Sequence, residues 1–241
     1  MVMRPLSGRR VVTTRDRRGR LDSLLAAAGA DVVHVPLISI ERVDDAPLAG
    51  ALAALDTFDW LVVTSGHGAD RVGDAAAGFP SLRLAAVGSR TAETLSRRAG
   101  RPVDVVPGRQ TAADLVRALD GRSGRVLVAQ ADRADDVLVA GLAESGFDVE
   151  SVVAYRTVLR APNRNERLAI SAADAVGFAS GSAVEAWVDA LGVETPLVAA
   201  AIGPTTATVA GRLGLKITHT AADHDVEGLA EVISAALTVR P

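Results

Sequence analysis

The hydrophobic positions fall into short runs of β-branched residues that alternate with longer Ala- and Leu-rich stretches. Residues 11–14 predict a strand, residues 21–28 predict a helix that stops at Gly29, and residues 32–35 predict the next strand. This alternation is typical of parallel α/β folds. The same pattern predicts further strands at residues 61–64, 84–87, 103–106, 126–129, 149–153, 175–178, 198–202 and 217–220. About ten strands are more than one small open sheet holds comfortably.

The chain also contains an internal repeat. Residues 59–66 resemble residues 174–181, and the serines in the two segments lie 115 positions apart. Residues 86–92 match residues 201–207 at the same offset. A near-constant offset over most of the length predicts two copies of one α/β unit, which is a duplication rather than a solenoid.

Two segments of mixed polarity follow the second strand of each copy. Residues 36–43 and 154–161 align with each other in the repeat and are predicted to be extended rather than helical. We interpret them as two crossings between domains. Such a paired connection is expected to act as a hinge, because few contacts would cross it.

Composition narrows the classes of function. Of 241 residues, 49% are hydrophobic and 23% are charged, which is a globular balance with enough apolar material for a core. The net charge of -3 argues against a broad nucleic-acid-binding surface. The absence of cysteine excludes disulfides, thiolate nucleophiles and Cys-ligated metals. Lys216 is the single lysine and a poor candidate for a phosphate-loop lysine or a Schiff base.

The sequence carries no signal for a membrane or for export. No segment approaches the roughly 20 consecutive apolar residues that span a bilayer. The Arg-rich start of the chain is followed by polar residues 13–16 instead of the apolar run of a signal peptide. We therefore expect a cytoplasmic protein without membrane contact.

Four strand-to-helix loops are rich in glycine and hydroxyl residues. The first backbone N–H groups of a helix lack intrahelical partners and lie at its positive dipole end, so such loops can hold carboxylates or phosphates. Any one loop alone is better explained by an ordinary helix cap, but four equivalent loops favour a shared anion-binding site. The candidate binding residues are Thr64, Ser65 and Gly66; Gly88, Ser89 and Thr91; Ser180, Gly181 and Ser182; Gly203, Thr205 and Thr206; and Thr14 with Arg15 after the first strand.

Other templates fit poorly. Gly66 and Gly68 begin a dinucleotide fingerprint, but Arg71 stands in place of the third glycine. The polar residues 219–225 include two histidines and two aspartates, yet they lack the spacing of a metal site and are interpreted as a solvated loop. No serine, histidine and acid have the spacing of a hydrolase nucleophile.

Six segments in their order and spacing carry a resemblance: residues 13–15, residues 59–72, residues 86–92, residues 153–157, residues 178–184 and residues 202–207. Together they resemble the uroporphyrinogen-III synthases of the haem pathway, and the resemblance covers nearly the whole chain. It implies two similar parallel-sheet α/β domains joined by a two-stranded β linker, with a cleft between them. The implied boundaries are residues 1–36 with 160–241 for the first domain, 42–153 for the second, and 37–41 with 154–159 for the linker strands.

The same resemblance implies the chemistry. The substrate is the linear tetrapyrrole polycarboxylate hydroxymethylbilane. A lyase of this family removes the terminal hydroxyl as water and closes the ring through a spiro intermediate, which yields uroporphyrinogen III with ring D inverted. No metal or organic cofactor is implied.

Tyr155 is the only tyrosine in the chain and matches the family's tyrosine. The resemblance gives it the catalytic role of donating a hydrogen bond to the departing hydroxyl. The alternative is an amphipathic tyrosine that merely lies in a linker.

The chain departs from the family pattern in one loop. Residues 130–136 carry three aspartates, Asp132, Asp135 and Asp136, where the family usually has a glycine-containing turn of basic character. Three acids are expected to repel a polycarboxylate. Ala179 also replaces the threonine often found before the serine.

Two other functions compete with the synthase. One is a non-catalytic module of the same fold that senses a tetrapyrrole or another polyanion. Such modules are expected to carry an appended DNA-binding domain, which is not expected here because Pro241 follows the last helical stretch directly. The other is a periplasmic-type binding protein, which the missing signal peptide disfavours. We expect a monomer that binds a small-molecule substrate and no nucleic acid.

Overall fold

The computed structural model describes residues 4–43 and 46–238. The chain divides into two compact units, and the divisions fall after Ser39 and after Thr157. The first unit combines the two ends of the chain, and the second is the continuous stretch between the divisions. The predicted domain limits also take in residues 1–3, 44–45 and 239–241, which lie outside the described residues.

Strands and helices alternate along most of the described chain. The strands are β1 Arg10–Thr13, β2 Asp31–His34, β3 Ile38–Arg42, β4 Trp60–Val63, β5 Arg83–Ala86, β6 Arg125–Ala131, β7 Asp148–Leu159, β8 Ala175–Phe178, β9 Val198–Ala201 and β10 His219–Thr220. The helices are α1 Arg20–Ala27, α2 Ala46–Ala53, α3 Gly66–Ala76, α4 Ser89–Ala99, α5 Ala112–Ala118, α6 Val137–Glu144, α7 Arg164–Ser171, α8 Gly181–Leu191, α9 Pro204–Arg212 and α10 Val226–Thr238.

The first unit is built on a five-stranded parallel sheet in the order β10-β9-β8-β1-β2. Its neighbouring residues Val11 and Val12 point to opposite faces, and both are fully buried. Val12 packs in a cluster with residues of α7, α8 and α9, while Val11 packs with residues of α1 and α10. Helices thus cover both faces, which is why the central strands are continuous apolar runs.

The second unit has a sheet in the order β3-β7-β6-β4-β5, in which β7, β6, β4 and β5 are parallel. Leu61 packs with residues of α2, α3 and α4 on one face. Trp60 and Val62 pack with residues of α5 and α6 on the other face. This unit therefore has its own two-sided core.

The internal repeat is visible in the elements themselves. Helices α3 and α8 each have 11 residues and begin 115 positions apart, as do strands β4 and β8. The strand order β9-β8-β1-β2 of the first sheet matches β5-β4-β6-β7 of the second. Asp174 and Asp59 also play the same part, because each carboxylate accepts a hydrogen bond from the backbone N–H that opens the neighbouring strand, at Arg10 and Arg125 respectively.

The predicted class, α/β with two parallel-dominated sheets, is confirmed. The strand predicted at residues 103–106 is wrong, because this segment makes only an isolated bridge between Ala85 and Val105. The side chain of Asp104 explains the difference. Its carboxylate accepts the Leu84 N–H at 2.7 Å. That N–H is therefore not available for the backbone hydrogen bonds of a regular strand pairing with β5.

The predicted linker segments 37–41 and 154–159 are extended, as β3 and as the last part of β7. Immediately after β7, Arg160 donates its backbone N–H to the Leu37 carbonyl at 2.8 Å and its guanidinium to the Pro36 carbonyl at 2.6 Å. The same guanidinium binds both carboxylate oxygens of Glu166 at 2.9 Å. Partial burial raises the pKa of Glu166, but the hydrogen bonds from Arg160 and from the Asn163 N–H outweigh it, so the pKa lies below its ordinary value of 4.5.

Candidate functional site

The predicted loop residues gather at one edge of each sheet. Because the strands are parallel, the loops that leave their carboxyl ends lie at the same edge. In the second unit the predicted residues follow β4 and β5, and in the first unit they follow β1, β8 and β9. The fold therefore groups the candidates into two sets: Thr64, Ser65, Gly66, Gly88, Ser89 and Thr91 in the second unit, and Thr14, Arg15, Ser180, Gly181, Ser182, Gly203, Thr205 and Thr206 in the first.

Ser65 and Ser180 are the N-caps of α3 and α8. Ser65 Oγ accepts the Gly68 N–H at 3.1 Å, and Ser180 Oγ accepts the Ala183 N–H at 3.3 Å. Each hydroxyl therefore satisfies one amide of the first helical turn. The hydroxyl proton of each serine is still able to donate, and the other amides of the turn point toward the same edge.

The glycine N-caps of α4 and α9 are covered by polar side chains. A Cβ added to Gly88 would collide with Gln110 Oε1, and a Cβ added to Gly203 would lie 3.2 Å from the imidazole of His224. Gln110 and His224 are 114 positions apart, close to the offset of the repeat. They are equivalent residues that sequence reasoning missed, although applying the offset to this loop would have paired them. The interpretation of His224 as part of a solvated loop is incomplete, since its ring is exposed but packs on Gly203.

The remaining loop residues differ in exposure. Thr91 and Thr206 lie in the first turns of α4 and α9 and are buried, whereas Ser89 and Thr205 beside them are exposed. Gly181 has a packing role, because a Cβ there would lie 2.9 Å from Val209 Cγ2 of α9. Two other candidates are half-buried at the starts of their helices: Gly66 and Ser182. Thr64 is half-buried and directly follows β4.

Thr14 and Arg15 begin a loop that is held by hydrogen bonds to the neighbouring strands β8 and β2. Thr14 is fully buried, and its hydroxyl donates to the Gly177 carbonyl at 3.1 Å. The Arg15 carbonyl is 2.9 Å from His34 Nε2. The buried carboxylate of Asp22, in the first turn of α1, accepts the Thr13 hydroxyl at 2.8 Å and the Gly19 N–H at 2.9 Å. Thr14 thus fixes the backbone from which the half-buried Arg15 extends.

Tyr155 lies next to the Ser65 loop. It is 9% exposed, and its ring contacts the imidazole of His67 edge to face, with centroids 5.5 Å apart and an interplanar angle of 60°. His67 belongs to the first turn of α3, two residues after the Ser65 cap. The structure therefore brings the predicted catalytic tyrosine together with the predicted binding loop of the second unit.

A register shift in β7 sets the direction of the tyrosine. Gln130 pairs with Val153, but the next residue of β6, Ala131, pairs with Tyr155, so Ala154 is an extra residue. Without the bulge, neighbouring residues of a strand would point to opposite faces. With it, Ala154 and Tyr155 both pack in the cluster that includes α3.

The described residues place limits on other kinds of site. Within residues 4–43 and 46–238, no group of three or more histidine or acidic side chains is arranged to hold a metal ion. Over the same residues, no helix combines the length and the apolar character needed to cross a membrane.

Comparison with known proteins gives a consistent result. The family model described as uroporphyrinogen-III synthase HemD matches residues 19–231. A chloroplastic uroporphyrinogen-III synthase of Oryza sativa subsp. japonica is 29% identical over 246 residues, which cover 94% of this chain and 80% of the relative. A uroporphyrinogen-III synthase of Synechococcus elongatus is 31% identical over 125 residues, which cover 48% of this chain and 47% of the relative.

Solved structures share the fold. A mutant uroporphyrinogen III synthase of the extremely thermophilic bacterium Thermus thermophilus superposes with a TM-score of 0.66 at 22% identity, covering 95% of this chain and 99% of that one. The uroporphyrinogen-III synthetase of Helicobacter pylori gives a TM-score of 0.65 at 19% identity, with the same coverage of both chains. At 22% and 19% identity these structures show a shared fold only, whereas the match to the family model shows the family. Since that model spans most of the residues, the chain belongs to the uroporphyrinogen-III synthase family, and the predicted lyase of haem biosynthesis is confirmed.

Proposed function

We propose that this chain converts hydroxymethylbilane into uroporphyrinogen III, with loss of water and inversion of ring D, and that Tyr155 acts on the departing hydroxyl. The observation that carries the proposal is the position of Tyr155, whose ring lies against His67 in the first turn of α3 beside the Ser65 cap. A phenol is a hydrogen-bond donor at neutral pH, so this role needs no unusual titration. The membership of the chain in the synthase family supports the same reaction.

The loop residues are proposed to hold the substrate's carboxylates. Helices α3, α4, α8 and α9 each begin at the carboxyl edge of a sheet, and backbone amides at such starts attract carboxylates without lysine side chains. This agrees with a chain that has one lysine. Arg15 adds a charged donor at the edge of the first unit.

Holding the substrate is proposed to matter more than proton transfer. The linear tetrapyrrole closes unaided to the wrong isomer, so the protein must bring ring D into position for attack through its substituted carbon. We further propose that residues 37–41 and 154–159 are linker strands between domains 1–36 with 160–241 and 42–153. Both segments are extended, and the divisions between the two compact units fall within them.

The deciding experiment gives the purified protein hydroxymethylbilane and separates the I and III isomers of the product. Isomer III in excess over a protein-free control is expected. Isomer I alone, with tight binding of the tetrapyrrole, would instead identify the non-catalytic sensing module.

Tyr155→Phe tests the catalytic role directly. We expect kcat to fall on the order of 10²-fold while KM stays within about twofold, because the lost hydroxyl donates mainly in the transition state. Phenylalanine keeps the ring contact with His67, so the variant should fold normally. An unchanged kcat would remove Tyr155 from the mechanism.

We also propose that the protein is a cytoplasmic monomer. Light scattering on a sizing column is expected to give the mass of one 24.8 kDa chain. A stable dimer would contradict this part of the proposal, and fractionation of the producing cells would test the compartment.

A further inference from the structure

Asp132 is the residue that immediately follows β6, and it makes two hydrogen bonds to β7. Its backbone N–H donates to the Tyr155 carbonyl at 3.1 Å. Its carboxylate Oδ1 accepts the Thr157 N–H at 2.9 Å. The two bonds reach the same edge of β7 on either side of Arg156 and continue the pairing that β6 itself ends at Ala131.

These bonds lie at the place where β7 is least regular. The bulge at Ala154 comes directly before Tyr155, so the regular ladder with β6 is interrupted there. Beyond the bulge, the Asp132 carboxylate takes the part that a backbone carbonyl of the neighbouring strand would play. Tyr155 is thus held between the irregular register on one side and the two Asp132 bonds on the other.

We propose that Asp132 is a positioning residue for Tyr155: its carboxylate and its N–H together fix the backbone that aims the phenol. This inference rests on the proposed function, in which Tyr155 meets the substrate. It also reverses the expectation drawn from the sequence, which treated the Asp132 charge as a source of repulsion for a polycarboxylate.

Positioning and repulsion predict opposite results for two variants. Asp132→Asn removes the charge but keeps an oxygen that can accept the Thr157 N–H, whereas Asp132→Ala removes both. A positioning role predicts that the asparagine variant resembles the wild type and the alanine variant does not. Repulsion predicts that both variants bind the substrate more tightly, with the same lowered KM.

Asp135→Ala is the matched control. Asp135 lies in the same exposed loop, and its carboxylate also accepts a backbone N–H, that of Val137 at 3.3 Å. The control therefore also removes one negative charge and one hydrogen bond to a backbone N–H. The N–H that loses its acceptor lies at the start of α6 and not in β7. Its kinetics are expected to match those of the wild type.

The kinetic experiment measures kcat, KM and the fraction of isomer III for the three variants. For Asp132→Ala we expect kcat to fall about 10-fold or more with KM within about twofold, since a small misplacement of a catalytic group is costly. Asp132→Asn is expected within about twofold of wild-type kcat. Equal losses in both Asp132 variants, or no loss in either, would overturn the proposal. Should the alanine variant not fold, Asp132→Ser, whose hydroxyl is too short to reach the Thr157 N–H, is expected to show the same loss.

A second measurement is independent of turnover. Because Tyr155 is the only tyrosine, protein labelled with 3-fluorotyrosine gives a single ¹⁹F resonance that reports the phenol's surroundings. Asp132→Ala is expected to shift or broaden it, while Asp132→Asn and Asp135→Ala leave it in place. If the wild-type protein forms only isomer I, the proposed function is wrong. The ¹⁹F measurement still tests the positioning role, because it does not depend on turnover. An unmoved resonance in Asp132→Ala would overturn the positioning role itself.

Discussion

At the scale of single residues, the contact between Tyr155 and His67 joins β7 to the first turn of α3. The two rings meet edge to face at 5.5 Å, a geometry that the charge distribution of aromatic rings favours. Tyr155 comes from β7 and His67 from the first turn of α3. The tyrosine ring therefore packs directly against the first turn of α3.

His67→Ala is expected to lower the free energy of unfolding by about 1 kcal/mol, the usual worth of such a ring pair. Urea denaturation would measure the loss. His67→Phe is the matched variant, because it retains an aromatic edge at the same place, and it is expected to recover most of the stability. Equal losses in the two variants would mean that the imidazole nitrogens, and not the ring contact, stabilise this turn.

At the scale of elements, helices α3 and α4 approach each other closely at Gly73. A Cβ added there would lie 2.5 Å from Arg98 Cβ. The guanidinium of Arg98 extends past this point to Asp70 at 3.1 Å and to Asp74 at 3.3 Å. Gly73 therefore provides the space in which the Arg98 side chain lies along α3.

Gly73→Ala is expected to destabilise the protein by about 1–3 kcal/mol, because overpacking moves one helix away from the other. Gly50→Ala is its control in another helix. A Cβ at Gly50 meets no atom within 4 Å, so this change is expected to stabilise by about 0.5–1 kcal/mol through the lower entropy of the unfolded chain. Urea denaturation of the two variants should shift the midpoint in opposite directions. Shifts in the same direction would contradict the close approach of α3 and α4.

The elements also show how far sequence reasoning reaches. Apolar runs predict the buried strands, and small hydroxyl residues predict the caps at Ser65 and Ser180, because both signals are local. The strand predicted at residues 103–106 does not form because the Asp104 carboxylate accepts the backbone N–H of Leu84, twenty residues earlier in the chain. The bonds of Asp132 to β7 and the cover of Gly88 by Gln110 are likewise tertiary contacts between segments far apart in the chain. The repeat offset is the one signal in the sequence that could have pointed to the last of these.

At the scale of the whole molecule, the two units of the duplication differ in how many segments of the chain build them. The second unit is one unbroken stretch, with clusters of buried side chains on both faces of its sheet. The first unit needs both ends of the chain, because β1, from the first part of the chain, pairs with β8, from the last part. Removing β1 and α1 from that unit would expose β8 and take Leu21 and Leu25 from its core.

Two fragments test this difference. Residues 38–159, which include all of β3 and β7, are expected to fold alone, since a stretch of this size with a complete two-sided core is a typical domain. Residues 160–238 retain β8, β9 and β10 of the first sheet but lack β1 and β2, so one edge of β8 is left unpaired and they are expected to show no cooperative unfolding. Circular dichroism during urea denaturation would distinguish a sharp transition in the first fragment from a gradual change in the second. Cooperative unfolding of residues 160–238, or its absence from residues 38–159, would mean that stability is not divided along the units of the duplication.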